Sequence, residues 1–591
     1  MIPRSLLKRL LSSFAHVFNL VVIVVTPIAL LPLILYADTK ESRCAFVVCL
    51  MSVFWMTNAV PLPVTALLPV VLFPLLGVLA TDEACYPYLQ ETNMLFIGSL
   101  IMAMAIEHCN VHRRIALRVM LFVGTNPRWI MLGFMLTTMF MSTWICNTAT
   151  TAMMMPILDA VLAEVIENDP DVIMLAEEGQ YGSQNDVRVP LKGVGRNTPV
   201  GNSNDKLGHS VGTSSNTEKQ VSKWSTAKDI QQANRTLSKS LYLSVAFAAN
   251  IGGTATLTSA GPNLILKFVV EEFYGGLPPI DYASWFLFAT PGVLVTVVAV
   301  WAIFQLIYHR SKPVGVQKQG HAAKKVINKK YDELGRMTFH ELTVLVMLLT
   351  LVLLWMFRDP HFAKGWANLF GTMKPKDATA ALFIVFLLFV IPSDPRNIGK
   401  SPTLLTWDVV QKKLPWGVVL LRGGGFAMAE ATSVSGLSRW IGHQLASFSF
   451  LSPQCMIFVL SVLVAFITEV VSNSATATIF LPIMAQLGTD LHMNPLLMII
   501  PVALACSYAF MLPVGTPANA IVSSHADISP TEMIVPGLIV KCLCICTMFI
   551  ALNTLGVYIF DLNTFPDWAA AGLANDTILT ALNRTLPQMG H

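Results

Sequence analysis

The chain has 591 residues, of which 54% are hydrophobic and only 13% charged, with a mean hydropathy of +0.60. A soluble protein carries nearer a quarter charged residues, so the composition points to a polytopic membrane protein without separate soluble domains. The formal net charge of +4 is small, and the basic residues gather in two connecting segments, which excludes a nucleic-acid-binding surface.

Arg4, Lys8 and Arg9 precede the first apolar run, from about Phe18 to Tyr36, and no small-residue cleavage site follows it. That run reads as a transmembrane helix that also serves as a signal anchor. A span needs roughly 20 apolar residues. Further candidate spans begin near Cys44, Thr65, Trp129, Thr148, Leu241, Trp285, Leu342, Ala378, Pro453, Ala475, Pro495 and Met533. Two other apolar stretches, Asn93–Ile106 and Trp416–Ala429, are too short to cross comfortably, and the second contains Gly423-Gly424-Gly425. Short Gly-interrupted segments at matching places predict re-entrant hairpins, so the expectation is an all-α fold of about 11 spans plus two hairpins. The 10 cysteines lie mostly inside apolar runs, as small buried residues do, and do not form a disulfide or zinc framework.

Two hydrophilic connections interrupt the apolar pattern. Residues 167–238 include Gly193–Ser215, rich in Gly, Ser and Asn, which predicts disorder. Gly208-His209-Ser210-Val211-Gly212 inside it fits the nucleophile-elbow pattern, but no strand precedes it and no helix follows, so the match is coincidental. Arg310–Arg336 holds Lys318, Lys324, Lys325, Lys329 and Lys330. Both basic loops and the N-terminus read as cytoplasmic. The C-terminal tail carries acceptor sequons at Asn575 and Asn583, which places it outside, where glycans are added. The sequon at Asn234 falls on the cytoplasmic side in this topology and is expected to stay unmodified.

The most informative pattern is a repeat. Cys146-Asn147-Thr148-Ala149-Thr150 is followed by Pro156-Ile157, and Ser472-Asn473-Ser474-Ala475-Thr476 by Pro482-Ile483. The offset, 473 − 147 = 326, also relates Gly98 to Gly424 and Pro127 to Pro453. About 60 residues thus recur without a gap, the sign of an internal structural repeat. A second polar break follows each motif: Asn250-Ile251-Gly252-Gly253-Thr254-Ala255-Thr256 leading to Ser259-Ala260-Gly261-Pro262-Asn263, and Val514-Gly515-Thr516-Pro517-Ala518-Asn519. Pairing Asn263 with Asn519 sets Ala260 opposite Thr516.

Unpaired backbone inside a bilayer costs several kcal/mol per group, so such breaks survive where they line a cavity or bind something. A half-helix that begins at a break turns its free N–H groups and positive dipole end toward the gap, which favours an anion. One that ends there offers carbonyl oxygens suited to sodium. Small polar residues can also serve helix packing alone; four breaks in a two-fold pattern favour a ligand site.

Trp144-Ile145-Cys146-Asn147-Thr148-Ala149-Thr150-Thr151-Ala152-Met153-Met154 resembles the signature of the divalent anion/sodium symporters, solute carrier family 13 in animals. Ile251–Thr258, Pro415-Trp416-Gly417 with Gly423-Gly424-Gly425-Phe426-Ala427, and Phe510–Ile521 resemble it too. The resemblance runs from about residue 18 to 568 and implies an 11-span homodimer of scaffold and elevator-type transport domains, without cofactor or enzymatic activity. By this resemblance residues 1–92 and 284–415 are scaffold, the latter with the basic loop. Residues 93–166, 239–283 and 416–530 would carry the transport elements, and 531–591 the last helix and the tail. Ala149-Thr150-Thr151 and Gly252–Thr258 are similar to the carboxylate carriers, which take succinate or citrate, more than to the sulfate carriers.

The resemblance also implies roles for single residues. The first sodium would meet Ser142, Cys146, Asn147 and the Ser259–Gly261 turn; the second, Thr468, Ser472, Asn473 and the Gly515–Pro517 turn. Substrate carboxylates would be held by Asn147, Thr148, Asn473, Ser474, Thr516 and the backbone of Ala260. The localisation it implies is a plasma membrane, with lipid around the helices.

Four positions depart from the family pattern. Cys146 and Ala260 stand where Ser and Thr are usual, each removing a hydroxyl from the first half. Asn58 replaces a common Glu, and Arg422 replaces an aliphatic residue. These departures leave open a sulfate or other divalent-anion carrier, a sodium-independent carboxylate carrier, and a non-transporting sensor on the same fold.

Charged residues in apolar runs cost at least about 2.5–3.5 kcal/mol. Arg422 either draws dianions, snorkels to the interface or pairs with a carboxylate. Glu469 either neighbours the second sodium or makes a structural hydrogen bond. His108, His112, Arg113 and Arg114 read as a solvated cytoplasmic edge.

Overall fold

The computed structural model describes residues 4–123, 127–167, 235–274, 279–308, 316–359, 364–397, 399–446 and 452–570. The expected disordered stretch Gly193–Ser215 and the sequons at Asn234, Asn575 and Asn583 lie outside the described residues. The described chain is helical throughout, its one β contact being an isolated bridge between Pro392 and Thr403.

Apolar composition and length set the helices apart. Five described segments are long and apolar enough to cross a bilayer: Val17–Leu35, Thr81–His108, Tyr282–Ile307, Phe339–Met356 and Pro530–Phe560. Five shorter apolar segments accompany them, Leu62–Leu75, Trp129–Trp144, Asp377–Val390, Pro453–Ile467 and Pro495–Ala505. Three of the short ones end at a polar break, which explains their length. Large apolar side chains such as Leu35, Leu75, Leu353 and Phe386 stand exposed on these helices, as side chains facing lipid do.

The repeat takes the form of two helical Vs. In the first, Pro127–Trp144 turns through Ile145 and Cys146 into Asn147–Glu167; both arms pack against the amphipathic helix Val316–Glu333. In the second, Pro453–Ile467 turns through 468–472 into Asn473–Asp490. Ser452–Gln454 and His492–Asn494 line one 390 Å³ cavity, so the outer ends of the second V lie side by side. Each V is followed by a broken helix. The first runs over 235–252 and resumes as Gly261–Tyr274; the second is Pro495–Ala505 resuming as Pro517–His525.

The hairpins expected at Asn93–Ile106 and Trp416–Ala429 are not there. Glu91–His108 and Trp416–Ser435 are single helices, the second unbroken through Gly423-Gly424-Gly425. Each Gly in a helix costs about 1 kcal/mol relative to Ala, but close packing requires these three. A Cβ at Gly423 would lie 2.3 Å from Tyr88 Cδ1, at Gly424 2.2 Å from the Ala66 carbonyl oxygen, and at Gly425 2.6 Å from Thr478 Oγ1. The two helices meet at positions related by the repeat offset. Asn93 Nδ2 lies 3.4 Å from the carbonyl oxygen of Val419, its equivalent 326 positions on. One turn further, the Arg422 guanidinium lies 4.2 Å from the ring centroid of Phe96, again its equivalent (422 − 96 = 326).

Three expectations about charge also change. Arg422 neither snorkels nor pairs: it is fully buried, and its three guanidinium nitrogens have no hydrogen-bond partner among the described residues. His112 and Arg114 are buried, not solvated. Arg114 Nη2 lies 3.2 Å from the Glu341 carboxylate, and His112 Nδ1 lies 2.9 Å from the Ile106 carbonyl oxygen. His108 and Arg113 are exposed, as expected. Lys267 is buried as well. It joins Gly261–Tyr274 to neighbouring helices through Asp377 at 2.9 Å and Glu91 at 3.6 Å.

Candidate functional site

Four polar breaks lie in contact, and each supplies one helix end and one helix start. Trp144, residue 252, Ile467 and Ala505 close helices there; Asn147, Gly261, Asn473 and Pro517 open them. The four starts direct backbone N–H groups and positive dipole ends at the gap, and the four ends direct carbonyl oxygens.

The first cluster is built on Asn147. Ser142, fully buried one turn before the break, places its hydroxyl 2.9 Å from Asn147 Oδ1 and 2.7 Å from the Ala249 carbonyl oxygen. Asn147 Nδ2 donates to Asn250 Oδ1 at 3.3 Å, which fixes the orientation of its amide. The second cluster repeats the arrangement. Thr468 Oγ1 lies 2.8 Å from Asn473 Oδ1 and 2.7 Å from the Cys506 carbonyl oxygen. A hydroxyl has one proton and two acceptors here, so each cluster holds more oxygen lone pairs than donors. Such an arrangement suits a hard cation, which takes oxygen ligands.

The two halves interlock. Asn250 Nδ2 lies 3.2 Å from Thr516 Oγ1, 3.1 Å from Asn519 Oδ1 and 3.3 Å from the Ala509 carbonyl oxygen. Thr516 caps Pro517–His525, accepting from Asn519 N at 3.3 Å. Two glycines allow close approach: a Cβ at Gly253 would lie 2.2 Å from Asn147 Oδ1, and one at Gly261 2.1 Å from Ser474 Oγ. The Ser259–Gly261 turn of the first half therefore abuts the Ser474 of the second.

The predicted residues divide into groups. Ser142 and Asn147 come together, as do Thr468 and Asn473, and Gly261 meets Ser474. Gly515 lies against Glu469, next to Thr468, where a Cβ would lie 3.2 Å from Glu469 Oε2. Ser259 instead bonds within its own turn, to the Gly253 carbonyl oxygen at 2.6 Å. Cys146 and Ser472 precede the two helix starts, and the Ser472 side chain makes no capping bond. Cys146, Asn147, Thr148, Ser472, Asn473 and Ser474 are half-buried, as are Ser259 and Gly261, while Ala260 is buried and Pro517 exposed.

Glu469 takes the structural role. Its carboxylate accepts from the backbone N–H groups of Phe510, Met511 and Leu512 at 2.9–3.1 Å and pairs with buried Lys541 at 2.7 Å. It thereby satisfies the unwound backbone after Ala505. Asn250 was legible only as part of a polar stretch; its partners, more than 250 residues away, make it the junction of the two halves.

Comparison with known proteins identifies the family. Residues 12–562 match the family model described as the sodium:sulfate symporter transmembrane region. The mouse Na(+)/citrate cotransporter is 39% identical over 580 residues, covering 94% of this chain and 97% of that protein. The chain belongs to the sodium:sulfate symporter family, solute carrier family 13. Other members of the family are about as similar. The rat Na(+)/dicarboxylate cotransporter 3 is 38% identical over 579 residues, covering 95% and 96% of the two chains. Rabbit solute carrier family 13 member 2 is 39% identical over 571 residues, covering 92% and 94%. Like the rest of this family, the chain is a multi-pass membrane protein.

Proposed function

We propose that this protein is a secondary active transporter that carries di- or tricarboxylates across a membrane together with sodium. The observation that carries the reading is the pair of matching oxygen clusters, Ser142–Asn147–Ala249 and Thr468–Asn473–Cys506, set beside four helix starts. The clusters suit two sodium ions, with Ser259, Gly261, Gly515 and Pro517 in the turns that pack onto them. The helix starts, with Thr148, Ser474, Thr516 and the Ala260 backbone, suit the substrate carboxylates. Glu469, the charged side chain at these contacts, is neutralised by Lys541. A dianion would therefore draw its compensation from helix dipoles and co-bound cations. The names of the relatives favour carboxylates over sulfate.

The paired Vs serve in this reading as re-entrant hairpins. They move with the broken helices as one transport body against the remaining helices, in a homodimer at the plasma membrane. The N-terminus lies inside, and the tail outside carries glycans at Asn575 and Asn583. Uptake of labelled succinate or citrate into cells expressing the protein tests the function. Uptake should rise with external sodium, and Asn147→Ala or Asn473→Ala should abolish it at unchanged surface expression. No uptake of either acid would sink the carrier.

A second reading, a sodium-independent carboxylate carrier, is favoured by one observation: Cys146 and Ala260 leave the first half poorer in hydroxyls than the second. Uptake at full rate with sodium replaced by choline would select it.

A further inference from the structure

We propose that Arg422 seats a small monovalent anion of the halide class, enclosed between the crossing helices Glu91–His108 and Trp416–Ser435. This site is separate from the four breaks and does not depend on the transport reading.

The side chain is 0% exposed, and its Nε, Nη1 and Nη2 meet no acceptor among the described residues. Its close electrostatic neighbours are aromatic faces, with ring centroids of Phe96 and Phe426 at 4.2 and 5.5 Å. An arginine stays protonated in proteins, so the charge cannot be shed on burial as a lysine's can. Ring faces attract the cation, but guanidinium N–H bonds lie in its plane and need acceptors there. Burying them unmet is more costly than stacking returns.

No protein acceptor nearby meets the guanidinium: the Val419 carbonyl oxygen faces Asn93 Nδ2, the Ala66 carbonyl oxygen takes the Tyr88 hydroxyl, and Asn93 Oδ1, itself without a partner among the described residues, does not bond it. An anion in the guanidinium plane completes the set. One guanidinium neutralises one charge. The close packing of Gly423 on Tyr88 and of Gly424 on Ala66 argues against a di- or tricarboxylate there, so the proposed ligand is a monatomic ion.

The wall that holds this ion also supports the second V. Gly425, three residues on, packs on Thr478, whose hydroxyl donates to the Ser474 carbonyl oxygen at 2.9 Å. Occupancy at Arg422 therefore braces the helix that begins at Asn473.

The test is thermal unfolding of the purified full-length protein in detergent at constant sodium, with chloride replaced stepwise by gluconate. Wild type should gain a few degrees of Tm, saturating with chloride, as a ligand bound only to the native state requires. Bromide should reproduce the gain. Arg422→Leu should lose the response and melt no lower than chloride-saturated wild type. A wild-type Tm indifferent to chloride, or an undiminished response in Arg422→Leu, overturns the proposal. If Arg422→Leu does not fold, radiolabelled chloride decides: wild type should bind one bromide-displaceable ion per chain that Arg422→Met lacks, and absence of saturable binding to wild type overturns it equally.

Discussion

Asn250 and Asn519 meet amide to amide, Nδ2 to Oδ1 at 3.1 Å, across 269 residues of chain. Through this contact, and through Asn250 Oδ1 accepting from Asn147, the first V, the first broken helix and the second broken helix form one polar knot. Asn250→Ala removes an acceptor from Asn147 and a donor from Thr516, Asn519 and the Ala509 carbonyl. Each buried group left unmet costs about 1–3 kcal/mol. The expected outcome is a clearly lower Tm together with lost uptake, read by fluorescence-detected size-exclusion after heating and by succinate uptake. An unchanged Tm would show that the knot is not needed for stability.

The glycines at the site separate function from stability. A methyl at Gly253 or Gly261 falls 2.2 or 2.1 Å from side-chain atoms of Asn147 and Ser474, and neither residue has positive φ. Gly253→Ala and Gly261→Ala should therefore displace those side chains and abolish or greatly slow uptake, while surface expression persists. Gly292 is the control, since its added Cβ would make an ordinary 3.6 Å contact with Ala551. Equal losses in all three variants would mean that the effect is general packing.

The repeated motifs were legible in the sequence because a polar Asn between small residues stands out against an apolar run, and the equal spacing repeats the signal. The glycine triplet misled for a physical reason. Its cost to a helix is local and visible, whereas Tyr88, Ala66 and Thr478, which need the missing Cβ atoms, come from elsewhere in the fold. The Vs fall instead at Asn147 and Asn473, where sequence reading saw separate spans, because direction of chain after a break leaves no mark in composition. Glu469 stayed undecided for the same reason: Lys541 and the N–H groups of 510–512 are 41 to 72 residues away (541 − 469 = 72).

Glu469 and Lys541 form a buried pair in which either charge alone is costly. Lys541 Nζ is also held by the Ala465 carbonyl oxygen and lies 4.6 Å from the Phe466 ring centroid. Breaking a buried pair from one side typically costs about 3–5 kcal/mol. Glu469→Gln should lower Tm strongly and reduce the folded yield. Adding Lys541→Met should recover part of the loss, though the backbone bonds to Phe510, Met511 and Leu512 remain weakened. A double variant no better than the sum of its parts would deny the coupling.

Next to the two oxygen clusters, Cys146 of the first half stands at the position that Ser472 holds in the second (472 − 146 = 326). The hydroxyl of Ser472 makes no capping bond and is free to turn toward the Thr468–Asn473 oxygens, whereas a neutral thiol at Cys146 is a poor ligand for a hard cation. Restoring oxygen should tighten the first cluster. One added ligand worth roughly 1 kcal/mol lowers the half-saturating sodium concentration about five-fold. Cys146→Ser is expected to do this without raising the maximal rate of uptake. The mirror change, Ser472→Cys, should raise the sodium requirement by a similar factor. Ala260→Thr acts on the substrate side, so its effect should fall on the apparent substrate affinity at saturating sodium. Sodium curves that coincide in wild type, Cys146→Ser and Ser472→Cys would remove both residues from the ion sites. Curves that shift only with Ser472→Cys would leave one working cluster, with ion coupling confined to the second half of the chain.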